Sequence, residues 1–178
     1  YPEYFPTIIG SAHITAVESL AILEKIIEKL PLDLLRPWGE PLHYLRDINK
    51  KIEELKREGV PPEAFEKLTK LEEKKFKSRD DLYHEKGAHK GKMKGEHKKF
   101  ERTIVKNKEL ALVYKEYQKT LREERKYDWS DMIMEVLKSL EQEADLKLSL
   151  QESHQYVLVD EHQDTNSAQN RIIELLLD

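Results

Sequence analysis

Tyr156-Val157-Leu158-Val159-Asp160-Glu161-His162-Gln163-Asp164-Thr165-Asn166 is the stretch on which the reading of this 178-residue chain turns. Tyr156 to Val159 are four consecutive apolar or aromatic residues, two of them β-branched. That pattern predicts a short strand buried on both faces, the usual state of a parallel strand in an α/β sheet. Asp160 and Glu161 follow directly. An acidic pair at the C-terminal end of a buried strand stands where open α/β sheets bind ligands. It also suits nucleotide hydrolysis, in which one carboxylate holds Mg²⁺ through water and the next positions the attacking water. The plainer reading is a strand ending in an acidic turn, with Asp164-Thr165-Asn166 capping the next helix.

Outward from this stretch, composition narrows the class. The chain has no cysteine, which argues against a disulfide scaffold or a thiolate metal site. No apolar run approaches the ~18 residues of a membrane span, and no signal-peptide pattern is present, so a soluble, cytoplasmic protein is expected. Charged residues make up 37% and hydrophobic ones 38%, a balance that favours long solvated helices around a modest core. The net charge of −4 does not mark the whole chain as a nucleic-acid binder. The first residue is Tyr rather than Met, and a fragment of a larger protein is expected.

Tyr1 to Gly10 reads as an extended lead-in. Ser11 or Thr15 caps a helix running to about Leu30, with Leu20, Leu23, Ile26 and Ile27 at helical spacing, and Pro31 ends it. Pro41 opens a second helix with Leu42, Leu45, Ile48, Ile52 and Leu55 as its stripe, stopped by Gly59. Val60-Pro61-Pro62-Glu63 starts a third, whose buried face is read as Phe65, Leu68, Leu71 and Phe76. Lys74 to Lys99 breaks the pattern with ten Lys or Arg against four acids, three Gly and His84, His89 and His97. It reads as a flexible basic loop over about residues 84–99 or a phosphate-contacting patch. The His spacing makes a poor zinc site. Glu101 to about Lys126 predicts the longest helix, and Asp128 or Ser130 caps the next. A further helix carries Leu146, Leu148 and Leu150, and a last one follows Asn166 with Ile172, Ile173, Leu175 and Leu176. One buried-type strand cannot form a sheet alone, so partner strands are expected outside this chain.

Tyr156 to Asn166, with Gln169 three further on, resembles the Walker B motif of UvrD/Rep-type superfamily 1 DNA helicases: an apolar run, Asp-Glu, an aromatic, then Gln-Asp-Thr-Asn and a Gln. The chain departs from it at His162, where the family has Phe or Tyr. Tyr127-Asp128-Trp129-Ser130-Asp131-Met132-Ile133 is similar to the Asp-aromatic-x-Asp segment that precedes Walker B in this family. Leu45 to Phe65, with its Leu-Lys-Arg-Glu-Gly-Val-x-Pro-Glu core, is similar to the family's helical subdomain 1B. The resemblance spans roughly residues 15–178. It implies a mainly α chain: a helical 1B-like region over 1–150, then the Walker B strand-turn-helix of an incomplete RecA-like α/β core (subdomain 1A) over 151–178.

The resemblance assigns roles. Asp160 would bind Mg²⁺ through water, Glu161 would be the catalytic base for ATP hydrolysis, and Gln163 and Asp164 would lie at the nucleotide site or link it to neighbouring motifs. Thr165, Asn166 and Gln169 read as structural. Lys90, Lys92, Lys94, Lys98 and Lys99 would touch single-strand or duplex DNA phosphate. Tyr83, Phe100 and Trp129 offer stacking faces, with Phe100 and Trp129 read first as core. The implied activity is that of a helicase with 3′-to-5′ polarity, coupling ATP hydrolysis to unwinding in repair or replication, with ATP and Mg²⁺ as cofactors. Its partners are DNA and the rest of the helicase chain, and no membrane. No Gly-x₄-Gly-Lys-Ser/Thr occurs, so the fragment, expected to be a monomer, should be inactive alone. The rival is a non-enzymatic helical module for nucleic-acid or protein binding.

Overall fold

The computed structural model describes residues 1–84, 86 and 91–177. Seven helices carry the described chain: α1 (Ala16–Lys29), α2 (Leu45–Arg57), α3 (Pro62–Lys77), α4 (Gly95–Glu123), α5 (Trp129–Gln142), α6 (Ala144–Ser153) and α7 (Ser167–Leu177). The mainly α expectation holds. Among the described residues, two strands of two residues each, β1 (Ala12–His13) and β2 (Lys126–Tyr127), pair in parallel with Ala12 opposite Lys126 and His13 opposite Tyr127.

Local chemistry sets the helix starts. Thr15 and Glu18 cap α1 reciprocally: the Glu18 amide donates to the Thr15 hydroxyl, and the Thr15 amide donates to the Glu18 carboxylate at 2.8 Å. Asp128 and Asp131 do the same at α5, each carboxylate accepting the other's backbone N–H at 2.9 and 3.0 Å. Pro62 occupies the first turn of α3, where a missing N–H is harmless. The second helix begins at Leu45 rather than Pro41, because Glu40 to Leu45 close as turns, with the His43 and Leu45 amides bonded three residues back.

The main core joins α1, α2 and α4 through Leu23, Ile27, Ile48, Ile52, Val113, Tyr114, Tyr117 and Leu121. Leu23 and Ile27 are fully buried, worth roughly 2 kcal/mol each. Exposed ion pairs such as Glu73–Lys77 are screened by solvent and contribute little, so packing decides the bundle. A second core joins α5, α6 and α7 through Leu137, Leu140, Leu146, Ala168 and Leu175, with Tyr4 and Phe5 of the N-terminal segment packed on it. That segment is therefore no bare lead-in. It forms a short 3-10 turn at Pro2–Tyr4, and the Ser139 hydroxyl donates to the Tyr4 carbonyl at 2.9 Å.

Three expectations change. On α3, Leu68 and Leu71 are exposed, while Thr69 and Phe76, two turns apart, face α4. Phe76 packing on Leu82 and Ile104 sets that rotation, and Glu66 and Glu73 line the rim, pairing across to Lys115 at 3.7 Å and Lys108 at 2.9 Å. The basic stretch, over its described residues, is partly ordered structure. Tyr83 and Met93 form an antiparallel bridge, α4 begins at Gly95, and His97 and Met93 pack beside Phe76, Leu82 and Ile104.

The third change concerns Tyr156–Val159. These residues pair with no strand, and Tyr156 and Leu158 are 89% and 96% exposed. The apolar pattern states what the segment can bury. A strand also needs a neighbour for its N–H and C=O groups, and among the described residues none runs beside it.

Candidate functional site

The acidic pair sits in a tight turn between α6 and α7. Glu161 adopts a left-handed backbone, φ 49° and ψ 41°, and His162–Asp164 form a 3-10 turn closed by the Asp164 amide donating to the Glu161 carbonyl at 2.8 Å. A non-glycine residue in this region carries strain of about 1 kcal/mol or more, of the kind stored at functional turns. Asp160 turns back on the chain and accepts the Glu161 N–H at 2.9 Å. The Gln163 carboxamide donates to the Glu161 carboxylate. Asp160, Glu161, His162, Gln163 and Asp164 are all exposed. The turn thus brings Asp160, Glu161 and Gln163 together, while Asp164 holds the turn through its backbone.

The residues after the turn are structural. The Asn166 side chain accepts the Gln169 N–H, and the Gln169 side chain accepts the Asn166 N–H, both at 3.0 Å. The Thr165 hydroxyl lies 2.7 Å from the His162 carbonyl and 2.7 Å from Asn170 Oδ1. Asn166 thus caps α7 as expected and Gln169 is structural as expected, while Thr165 braces the turn against Asn170 instead of capping a helix amide. Helix α7 is then seated on the end of α2: the Ser167 hydroxyl donates to the Glu58 carboxylate, and Gly59 packs on Ala168 and Leu137.

Among the described residues no cluster of three or more His, Asp or Glu is arranged to hold a metal. Mg²⁺ does not require one. It retains waters and takes one or two carboxylates plus substrate phosphates, and Asp160 with Glu161 offers that donor set and no more.

The basic residues lie elsewhere. Lys92 is exposed and Lys94 half-buried where the 83–93 bridge closes, and Lys98 and Lys99 are exposed on the first turns of α4. Lys90 lies outside the described residues. Phe100 is partly exposed against Phe76, their ring centroids 5.3 Å apart.

Trp129 corrects its expectation. It is 69% exposed and outside the core. Its ring lies 4.5 Å from that of His13 on β1, and His13 meets Tyr127 edge-on at 5.6 Å. Beneath this aromatic group, the first turn of α5 is held by a buried cation. Lys56 of α2, 1% exposed, places its ammonium 2.5 Å from Asp128 Oδ2 and 2.7 Å from Asp131 Oδ1. The Gln118 side chain also donates to Asp131 at 2.8 Å. Tyr117 approaches Asp128 at 3.4 Å and pairs with Ser19 at 2.8 Å. Burial pushes the Asp128 carboxyl above its usual range, the nearby Asp131 adds to this, and Lys56 opposes it. Sequence reasoning missed Lys56, although a signal exists: it continues the 48–52–56 stripe of α2, where a lysine must find a buried anion.

Comparison with known proteins gives the family. The model of the UvrD/REP helicase N-terminal domain matches residues 11–178. The chain belongs to that family. The UvrD/REP helicase N-terminal domain match agrees with the resemblance read from Tyr156–Gln169. Similar curated proteins include the ATP-dependent DNA helicase PcrA of Staphylococcus epidermidis (strain ATCC 35984), 39% identical over 67 residues, or 38% of this chain and 9% of that protein. The ATP-dependent DNA helicase PcrA of Staphylococcus aureus (strain Mu50) is 37% identical over the same share of each chain. The match thus spans under a tenth of the relatives' length. Among the described residues, no helix of this UvrD/REP-family chain is long and apolar enough to cross a membrane.

Proposed function

We propose that this chain is the 1B-like helical region and Walker B turn of an ATP-dependent DNA helicase of the 3′-to-5′ type, acting in repair or replication. The observation that carries this reading is the turn at Asp160–Glu161. Two adjacent carboxylates face solvent on a strained turn, locked behind by the Asn166–Gln169 cap, in a chain of the UvrD/REP family. Asp160 would hold Mg²⁺ through water. Bound there, the ion would neutralise charge on the ATP phosphates. Glu161 takes the proton from the attacking water, and Gln163 orients Glu161 through the hydrogen bond it already makes. Asp164 keeps the turn closed.

The phosphate cradle must come from a P-loop elsewhere in the parent protein, and so must strands to pair with Tyr156–Val159. Residues 151–178 then belong to the RecA-like subdomain and 1–150 to the helical region. Lys92, Lys94, Lys98 and Lys99, with Lys90, contact DNA phosphate, which gives salt-sensitive, sequence-independent affinity. The exposed Trp129 stacks on a base, as single-strand binders use aromatic faces.

The reading is tested by assaying Mg²⁺-dependent, DNA-stimulated ATP hydrolysis in the intact protein and in the 178-residue chain. Activity in the first and none in the second is expected. An intact protein that neither binds nor hydrolyses ATP would favour the non-enzymatic module.

A further inference from the structure

We propose that Lys56 is the positioning residue of a nucleobase-stacking shelf formed by Trp129 and His13. The inference rests on the DNA-binding reading above and adds what holds the shelf in place.

Three observations carry it. First, Asp128 and Asp131 are the cap and third residue of α5, so the ammonium of Lys56 grips both ends of that helix's first turn, at 2.5 and 2.7 Å. Successive helical residues are about 100° apart around the axis. Asp128 and Asp131 therefore share the side facing α2, and Trp129 points away from it, toward His13 and solvent. Holding the two carboxylates fixes the direction of the indole. Second, Lys56 has nowhere else to go. Its side chain is fully buried, it stands 5.1 Å from the centre of the Tyr117 ring, and Tyr117 is tied to Ser19 and through it to Asn49. The grip is thus anchored in α1, α2 and α4 together. Third, the opposite side of the shelf is pinned by backbone. The Ile14 amide donates to the Tyr127 carbonyl at 2.9 Å, and the Ala12 amide donates to the Arg125 carbonyl at 2.8 Å. These bonds set His13 beside the residue that precedes the cap. Lys56 touches no solvent and reaches no ligand itself; it acts through Trp129.

Without the ammonium, two carboxylates share one part-buried site. They repel, or one takes up a proton, and either way the first turn of α5 loses its register against α2.

The sequence has two tryptophans, so Trp38→Phe leaves Trp129 as the only indole emitter. In that background Lys56→Met, and the milder Asp131→Asn in case Lys56→Met does not fold, are compared by time-resolved anisotropy of Trp129 and by titration with an oligothymidine at low salt. Leu146→Ala, in the separate α5–α7 core, serves as the control for lost stability alone. The expected result is at least a twofold larger fast-depolarising component and about tenfold weaker oligothymidine binding in Lys56→Met. Asp131→Asn should shift both in the same direction, and Leu146→Ala neither. An indole equally immobile in both charge variants overturns the proposal, as does undiminished oligothymidine affinity with a loosened indole. A loosened indole in a chain whose parent never bound oligothymidine overturns the stacking role through the DNA-binding reading, and the two failures are told apart.

Discussion

Asn166 and Gln169 cap each other at the start of α7, each side chain accepting the other's backbone N–H at 3.0 Å. Two of the four amides that a helix start leaves without partners are satisfied by this one exchange. The cap holds the base of the turn that presents Asp160 and Glu161, so its loss should be felt in stability before chemistry. Asn166→Ala is expected to cost about 1 kcal/mol, read as a lower urea midpoint with unchanged slope. Asn166→Asp, which keeps the acceptor, should cost much less.

Gly59 lies where three helices meet. Its φ is +71°, and a Cβ there would stand 3.2 Å from Leu137 Cδ2 and 3.7 Å from the backbone of Ala168. Both the left-handed conformation and the close approach argue for glycine. Gly59→Ala should destabilise the chain by about 1–2 kcal/mol from backbone strain alone, measured by denaturant unfolding. An alanine that stabilised the chain would mean that α2 and α7 are not seated as described.

Asp81 provides a pH test. Arg79 donates to both of its oxygens, at 2.9 and 2.8 Å, and these bonds hold the carboxyl at about 2, below its ordinary 3.8. The sign follows: the pair's contribution is present above the ordinary carboxylate range and is lost as pH falls through about 2. The pair is exposed, so little stability rides on it. The readout is therefore the NMR titration of the Asp81 carboxyl, which should move toward 3.8 in Arg79→Gln and on raising salt.

Much of the helical framework is legible in the sequence because its signals are local. Thr15, Asp128, Pro31 and Gly59 mark helix ends by their own side-chain or backbone chemistry, and each is found at an end. The acidic turn and its cap are legible for the same reason. What fails to read through depends on partners far along the chain. The two-residue pairing of Ala12–His13 with Lys126–Tyr127 is too short to leave a pattern. Leu68 and Leu71 look like core until Phe76, packed on Leu82 and Ile104, sets the rotation of α3. Trp129 reads as core because it is large and apolar, yet Asp128 and Asp131, gripped by Lys56, turn it outward. Tyr156–Val159 carries the composition of a buried strand and, among the described residues, has no neighbouring strand to bury it.

The central claim is that Glu161 is the base of an ATP-hydrolysing site. The most direct measurement is DNA-stimulated ATP turnover by the intact protein carrying Glu161→Gln. The account predicts a fall of about 10²–10⁴-fold in kcat, with Mg²⁺·ATP binding retained, because the amide keeps the shape and loses the basic oxygen. Wild-type turnover in Glu161→Gln would contradict it.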